Sequence, residues 1–426
     1  MSHPIRIGVI GLGGFAGSHH SAIERLEARH EARLVCTCDP RATELIAHND
    51  QWSFARRGVR VFADYREMLA ACHRDLDVVV IPTPIQVHAE MHAAVAALGL
   101  PSYIEKPPTL DYAELDRMIG TDAALPRSSL VGFNFIIEQT RLALKERLLA
   151  GEFGAVRGAT LTGLWPRPRS YFRRNNWAGR LRLDGHLVLD SVFGNALAHF
   201  VHNLLFWAGS GDLFNWARPA AVRAELYRAH AIEGADTFFV ETDTTGGVTM
   251  RFALSHACSG GSSQVETVVC EHATLNYVVG SHAEIRRCDG RVEKIDLDPF
   301  DGLLRNHQEY YRYLNGARPR PATTLADSRP FVVLNDLAYV SSRQITPIPE
   351  RYVSVERNDK EQKEYLEVDG LRSAQAAFLM HGTWPGANGW KREPPALATA
   401  GDLPRFHDTI AAMAQSSASL PPASGG

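Results

Sequence analysis

Several short stretches carry residue types that could do chemistry. Gly11-Leu12-Gly13-Gly14-Phe15-Ala16 follows an apolar run and precedes a stretch with helical spacing. Gly11 permits a tight turn, and Gly13 lets the backbone approach a pyrophosphate. The third position asks only for a small side chain, which Ala16 supplies. The helix behind the loop would present free N–H groups, with Gly14 and Phe15 at its mouth, to an anion. The strand Arg33–Cys38 then ends in Asp39, 23 residues past Ala16. A carboxylate there would accept bonds from the ribose hydroxyls of an adenosine. Asp39 therefore points to NAD, while Arg41 could stack on adenine or tolerate NADP. Asp39 is also a ready helix cap, since Asp-Pro commonly starts a helix.

"YIEKPPTL" places Glu105 and Lys106 after a further apolar strand, with two prolines behind the lysine. A lysine at the carboxyl edge of a parallel sheet faces the crevice where ligands bind. Partial desolvation beside a nicotinamide cation would lower its pKa toward neutrality and fit it for proton transfer. Farther on, "NALAHFVHNLLFWAG" puts Asn195 and His199 four residues apart, the spacing of one helix face. "WPRPRSYFRRNNWAGRLR", Trp165–Arg182, gathers arginines and aromatics with no acid. Arginine forks bind carboxylate or phosphate, and Trp or Tyr rings stack on sugar faces. Arg167, Arg169, Arg173, Arg174 and Trp177 are thus candidates for holding an acidic substrate, or for a subunit-interface loop.

These residues need a frame. Residues 1–130 alternate strand and helix patterns: strands at Arg6–Ile10, Arg33–Cys38, Val59–Phe62, Asp77–Ile81, Ser102–Glu105 and Leu130–Phe133, with helices between. That alternation predicts a doubly wound parallel sheet, a Rossmann-type α/β domain. From Ala155 to about Asp298 the strand patterns follow one another with only turn residues between several of them, which predicts a second α/β domain, 131–350, with a large, mainly antiparallel open sheet. One helix, Asn195–Trp207, interrupts it. Residues 351–426 are expected to be an extension, with the last dozen, "QSSASLPPASGG", disordered.

The glycine loop, "PTPIQVH" after the fourth strand, "EKP", and a following antiparallel domain together resemble the Gfo/Idh/MocA (glucose–fructose oxidoreductase / inositol dehydrogenase) family. The resemblance spans residues 5 to about 350. It implies that Glu105-Lys106-Pro107 contacts the cofactor and that Lys106 takes part in catalysis. It also implies that Thr83, Pro84 and His88 line the nicotinamide ribose. The family carries D-x-x-x-H on a helix of the second domain; His199 matches the histidine, but Asn195 stands where the aspartate is expected. Asparagine can position a hydroxyl but cannot accept a proton, so Lys106 or His199 is left as the acid/base, with Asp190 a carboxylate close by in sequence. The implied activity is hydride transfer between NAD(P) and a hydroxyl carbon of a sugar, sugar derivative or cyclitol. A glycoside-cleaving enzyme working by transient oxidation at C3, and a non-catalytic sensor, are the alternatives.

Bulk composition fits this reading. The chain has 426 residues, 45% hydrophobic and 22% charged, with a formal net charge of −3. No global basic field favours nucleic acid. The six cysteines contain no C-x-x-C pair, so neither a metal site nor a redox dithiol is expected. No apolar stretch reaches membrane-helix length, and the N-terminus has no basic-then-apolar leader, so a cytoplasmic protein is expected. A homo-oligomer is expected from the resemblance alone.

Overall fold

The computed structural model describes residues 3–48, 50–390 and 392–418. The chain divides into two compact units, Met1–Gln139 with Phe300–Arg329, and Thr140–Pro299 with Pro330–Gly426. This division differs from a break at 130, because a later segment returns to the first unit.

In the first unit, β1 (Ile5–Ile10), β2 (Ala32–Cys38), β3 (Arg60–Phe62), β4 (Val78–Ile81), β5 (Ser102–Ile104) and β6 (Leu130–Val131) form one sheet in the order β3-β2-β1-β4-β5-β6. All its pairings are parallel. That is the Rossmann order, whose reversal between β1 and β4 opens a crevice at the carboxyl ends of the strands. β4, Val-Val-Val-Ile, is wholly buried, as a strand covered on both faces should be. The helices include α1 (Ala16–Glu27), α2 (Ala42–His48), α3 (Tyr65–Cys72), α4 (His88–Ala96) and α5 (Tyr112–Asp122). The last of the unit's helices, Gly302–Leu314, returns from far along the chain. It inserts Leu304, Tyr310 and Tyr311 into the core with Ile7, Val9, Ile23 and Tyr103. The alternation of the first 130 residues carries no sign of this return.

The second unit starts with α6 (Gln139–Leu149) and β7 (Val156–Leu164), followed by a small hairpin of β8 (Arg182–Leu183) and β9 (His186–Leu187), then α7 (Ala198–Ala208). Next come β10 (Pro219–Arg228), β11 (Thr237–Thr244), β12 (Thr249–Ser255), β13 (Ser263–Cys270), β14 (Ala273–Val278), β15 (His282–Arg287), β16 (Val292–Asp296) and β17 (Ile345–Pro347). They pair in the order β16-β15-β14-β13-β7-β12-β11-β10-β17. The sheet is mixed: β12–β7 and β10–β17 are parallel and the other pairings along that path are antiparallel.

Residues 351–418 are built into this unit. A hairpin, β18 (Val353–Asn358) and β19 (Lys363–Val368), precedes the helix Leu371–His381, and Val368, Leu371, Phe378 and Trp390 pack with Leu164, Tyr227 and Phe239. Most of β18 and the start of β19 are exposed, and the inward positions toward the end of β19 carry the hairpin into this core. Of the tail expected to be disordered, Gln415–Ala418 instead continue the helix Phe406–Ala418, where Ser417 Oγ accepts from Arg228 Nη1 at 2.7 Å. The remainder of that tail lies outside the described residues. No described helix is long and apolar enough to cross a membrane.

Candidate active site

In the first unit, residues from four turns gather at the carboxyl ends of β1, β2, β4 and β5. Gly11 follows β1 with φ +126°, a conformation side chains rarely adopt. A Cβ on Gly11 would lie 3.3 Å from the Cβ of Ala16, so the two positions are small for each other's sake. That contact is the physical reason an alanine serves as the third residue of the motif. Gly13 faces the Arg41 guanidinium, 3.8 Å from where its Cβ would be, and Gly14 has φ +57° over open space. Phe15, half exposed, precedes α1 without a side-chain cap, and the first turn of α1 holds no acid. An uncapped helix start without acids is suited to a phosphate.

Asp39 lies where expected, beyond β2. Its Oδ2 accepts from the Leu12 amide at 3.0 Å and its Oδ1 from the Arg41 amide at 2.9 Å. The carboxylate thus locks the glycine loop to the end of β2, and each oxygen keeps a lone pair for a hydroxyl donor. The aspartate does more than accept from the amide at the start of the next segment; it braces the loop. These features fit a dinucleotide: Gly11 to Ala16 would hold its pyrophosphate and Asp39 its adenosine ribose.

Thr83 and Pro84 occupy the turn after β4. His88, at the start of α4, is buried, with Nε2 2.8 Å from the Thr83 carbonyl and Nδ1 3.1 Å from the Pro107 carbonyl. Burial pushes its pKa down. With both nitrogens on backbone carbonyls, the ring ties the Thr83 turn to the Lys106 turn. Glu105 is buried beyond β5, its Oε2 accepting from the Lys106 amide at 3.2 Å. Lys106 is half-buried and joined to Pro107 by a cis peptide.

In the second unit, Asn195 and His199 do not share one unbroken α-helix. Val192–Ala196 is a π-type turn, capped by the Ser191 hydroxyl on the Gly194 amide, and α7 starts only after Leu197. Both side chains are half-buried. Asn195 Nδ2 donates to Asp190 Oδ1 at 2.8 Å, and Asp190 Oδ2 accepts from the Gly179 amide at 2.8 Å. Asp190 therefore sets the direction of the Asn195 amide, turning its Oδ1 acceptor away from the carboxylate. The sequence had shown Asp190 close by; its partner needed the fold.

The arginine–aromatic segment separates into two kinds of arginine. Arg167 Cζ lies 4.5 Å from the Trp165 ring centre and 4.2 Å from that of Tyr171. Arg174 Cζ lies 3.6 Å from Tyr171 and 4.8 Å from Trp177. These alternate into a local stack, and burial lowers the Arg167 pKa. Arg169 pairs with Glu364 of β19 at 3.2 Å. Arg169 and Arg173 line a cavity of about 260 Å³ with Phe172, His230, Val355 and Leu366.

Residues 5–133 match the profile of the Gfo/Idh/MocA family, described as "Oxidoreductase family, NAD-binding Rossmann fold". Inositol 2-dehydrogenase of Leifsonia xyli subsp. xyli is 32% identical over 151 residues, 35% of this chain and 42% of that protein. Inositol 2-dehydrogenase of Rhizobium meliloti is 29% identical over 175 residues, 40% of this chain and 49% of that protein. The chain thus spans under half the length of these two curated relatives. The crystal structure of the WlbA dehydrogenase from Bordetella pertussis, in complex with NADH and UDP-GlcNAcA, superposes with a TM-score of 0.64 over 80% of this chain and 96% of that one, at 23% identity. That likeness is one of fold. The glycine loop, Asp39 and Glu105-Lys106-Pro107 thus lie on a six-stranded Rossmann sheet within residues 5–133, the segment that matches the NAD-binding domain of the Gfo/Idh/MocA oxidoreductase family.

Proposed function

We propose that the protein is an NAD-dependent dehydrogenase acting on a secondary hydroxyl of a sugar, sugar derivative or cyclitol. The observation that carries this reading is the placing of Lys106 at the carboxyl edge of the sheet that also presents the glycine loop and Asp39. NAD, when bound, supplies the hydride acceptor. Lys106 takes the proton from the substrate oxygen or returns it, with His199 as the second acid/base group. Asn195, oriented by Asp190, accepts from a neighbouring hydroxyl. Arg169 and Arg173 favour a substrate with an acidic group.

A panel of sugars, uronates and cyclitols with NAD and with NADP, followed at the nicotinamide absorbance, tests the proposal. Reduction of NAD by at least one polyol, with NADP poorer, is the expected result. Cleavage of a glycoside without release of NADH would favour the elimination mechanism. No turnover, with ligand binding intact in Lys106→Ala, would favour a sensor. Cytoplasmic location and homo-oligomerisation belong to the same proposal, and the second is checked by sedimentation.

A further inference from the structure

The glycine-loop helix carries two adjacent histidines, His19 and His20, both buried. Neighbours on a helix point about 100° apart, so they meet different partners. His20 Nε2 lies 3.0 Å from the Gly11 carbonyl, inside the loop itself. His19 Nε2 lies 3.1 Å from Glu105 Oε1. His19 Nδ1 lies 3.0 Å from His307 Nε2, and His307 Nδ1 lies 3.0 Å from the Tyr311 hydroxyl. His307 and Tyr311 sit on the returning helix Gly302–Leu314, and both are buried.

Donors and acceptors along this chain have one consistent order. The Glu105 carboxylate accepts, so His19 donates through Nε2–H. Its Nδ1 must then accept, so His307 donates through Nε2–H. His307 Nδ1 in turn accepts from the Tyr311 hydroxyl. Burial drives the His307 pKa well below its usual value, which keeps the ring neutral and the order intact. The chain ends on a carboxylate whose other oxygen holds the Lys106 amide. Gly132 leaves room for it: a Cβ there would lie 2.7 Å from Glu105 Oε1.

We infer that His19, His307 and Tyr311 are positioning residues that set the distance between the two ends of the cofactor site, the glycine loop and the Lys106 turn. The loop after β1 and the turn after β5 sit on strands separated by β4, so sheet pairing links them only through that intervening strand and leaves their tips free to shift. The donor chain braces the Lys106 turn against the same helix whose N-terminus faces the pyrophosphate. The inference rests on the NAD-binding reading above.

The test compares two substitutions at one residue. His307→Gln keeps a polar group at the Nε2 position facing His19, whereas His307→Asn keeps one at the Nδ1 position facing Tyr311. Full-length wild type and variants are titrated with NADH by nicotinamide fluorescence, beside their melting temperatures. The expected result is that Asn weakens NADH binding about tenfold while Gln stays within about twofold, at similar cost in melting temperature. His19→Ala should match the Asn variant. Tyr311→Phe, the mildest change, should weaken binding a few-fold. Nitrogen-15 spectra should show both rings carrying the Nε2 proton. Equal weakening in the Asn and Gln variants, no weakening in any variant, or an Nδ1 proton on His19 would each overturn the inference. A wild-type chain that binds no NADH would instead remove the cofactor reading, and this inference with it.

Discussion

Glu105 in the first unit and Glu266 in the second are both buried carboxylates, and they are held in different ways. Glu266, on β13, accepts from Arg141 Nη1 at 2.5 Å, Trp207 Nε1 at 2.6 Å and Asn203 Nδ2 at 2.9 Å. Arg141 is itself fully buried, with its guanidinium 4.4 Å from the Tyr277 ring centre. Countercharge, donors and rings close around that carboxylate, and it joins α6, α7 and the sheet. Glu105 instead accepts from a histidine and from its own turn, beside Lys106, the lysine proposed above to move the substrate proton. Burial of charge does not by itself mark a site. A carboxylate with a matched, enclosed arginine is a structural joint, while one that ends a chain of neutral donors at a strand edge is a means of placing a turn.

The largest expected effect tests the functional side. Lys106→Ala should lower kcat about 10²- to 10⁴-fold on whichever polyol the panel identifies, with the protein folded and NADH affinity changed far less. The matching change on the structural side is Glu266→Ala, which takes the Glu266 carboxylate away from the buried Arg141 and should cost about 3–5 kcal/mol of unfolding free energy in urea melts. Its folded fraction should bind NADH like wild type; a loss of NADH affinity there would break the contrast.

Gly132→Ala comes next, at about 1–3 kcal/mol from overpacking against Glu105. Unlike the Glu266 change, it should reduce NADH affinity as well as melting temperature. Unchanged affinity would show that the Glu105 carboxylate can move without consequence.

Acid sharpens the comparison between units, because each holds a histidine whose pKa burial depresses: His20 to about 4 and His256 to about 3. In the unfolded chain both titrate near 6.5. Between these values the unfolded state binds more protons, so stability falls as pH drops below about 6.5, by about 1.4 kcal/mol per pH unit per histidine. The loss from His20 should level off near pH 4 and that from His256 near pH 3. Urea melts across this range, repeated with His20→Gln and His256→Gln, should show the slope flattening in each variant. The smallest effect expected is Arg174→Ala, about 0.5–1 kcal/mol from the half-exposed stack on Tyr171 and Trp177.

Local pattern made the first unit legible. Alternation of apolar strands and helices, glycines at a turn and an acid after the second strand each have a span of a few residues, so the parallel sheet, the glycine loop and Asp39 could be read from types and spacing. The second sheet was legible as strands but not as pairings, since β7 pairs with β12 and β13, across 91 or more residues. Asn195 and His199 were readable as residues, but their i to i+4 spacing suggested an unbroken helix that the π-type turn replaces. The arginines were readable as a cluster, yet which of them stack on rings and which face a cavity depended on where the aromatics fell.

By itself, then, the sequence determined the elements and the chemistry they carry: a dinucleotide loop, a lysine at a strand edge, a histidine and an amide on the second unit. Backbone propensity and hydrophobic period act over one turn or one strand, and one chain exposes them fully. The tertiary structure decided which groups meet. His19 reaches Glu105 across 86 positions and His307 across 288, and Asn203 and Trp207 reach Glu266 across 63 and 59. Those pairings follow from buried surfaces closing long loops, whose entropy cost rises only slowly with length, so no spacing in the sequence announces them.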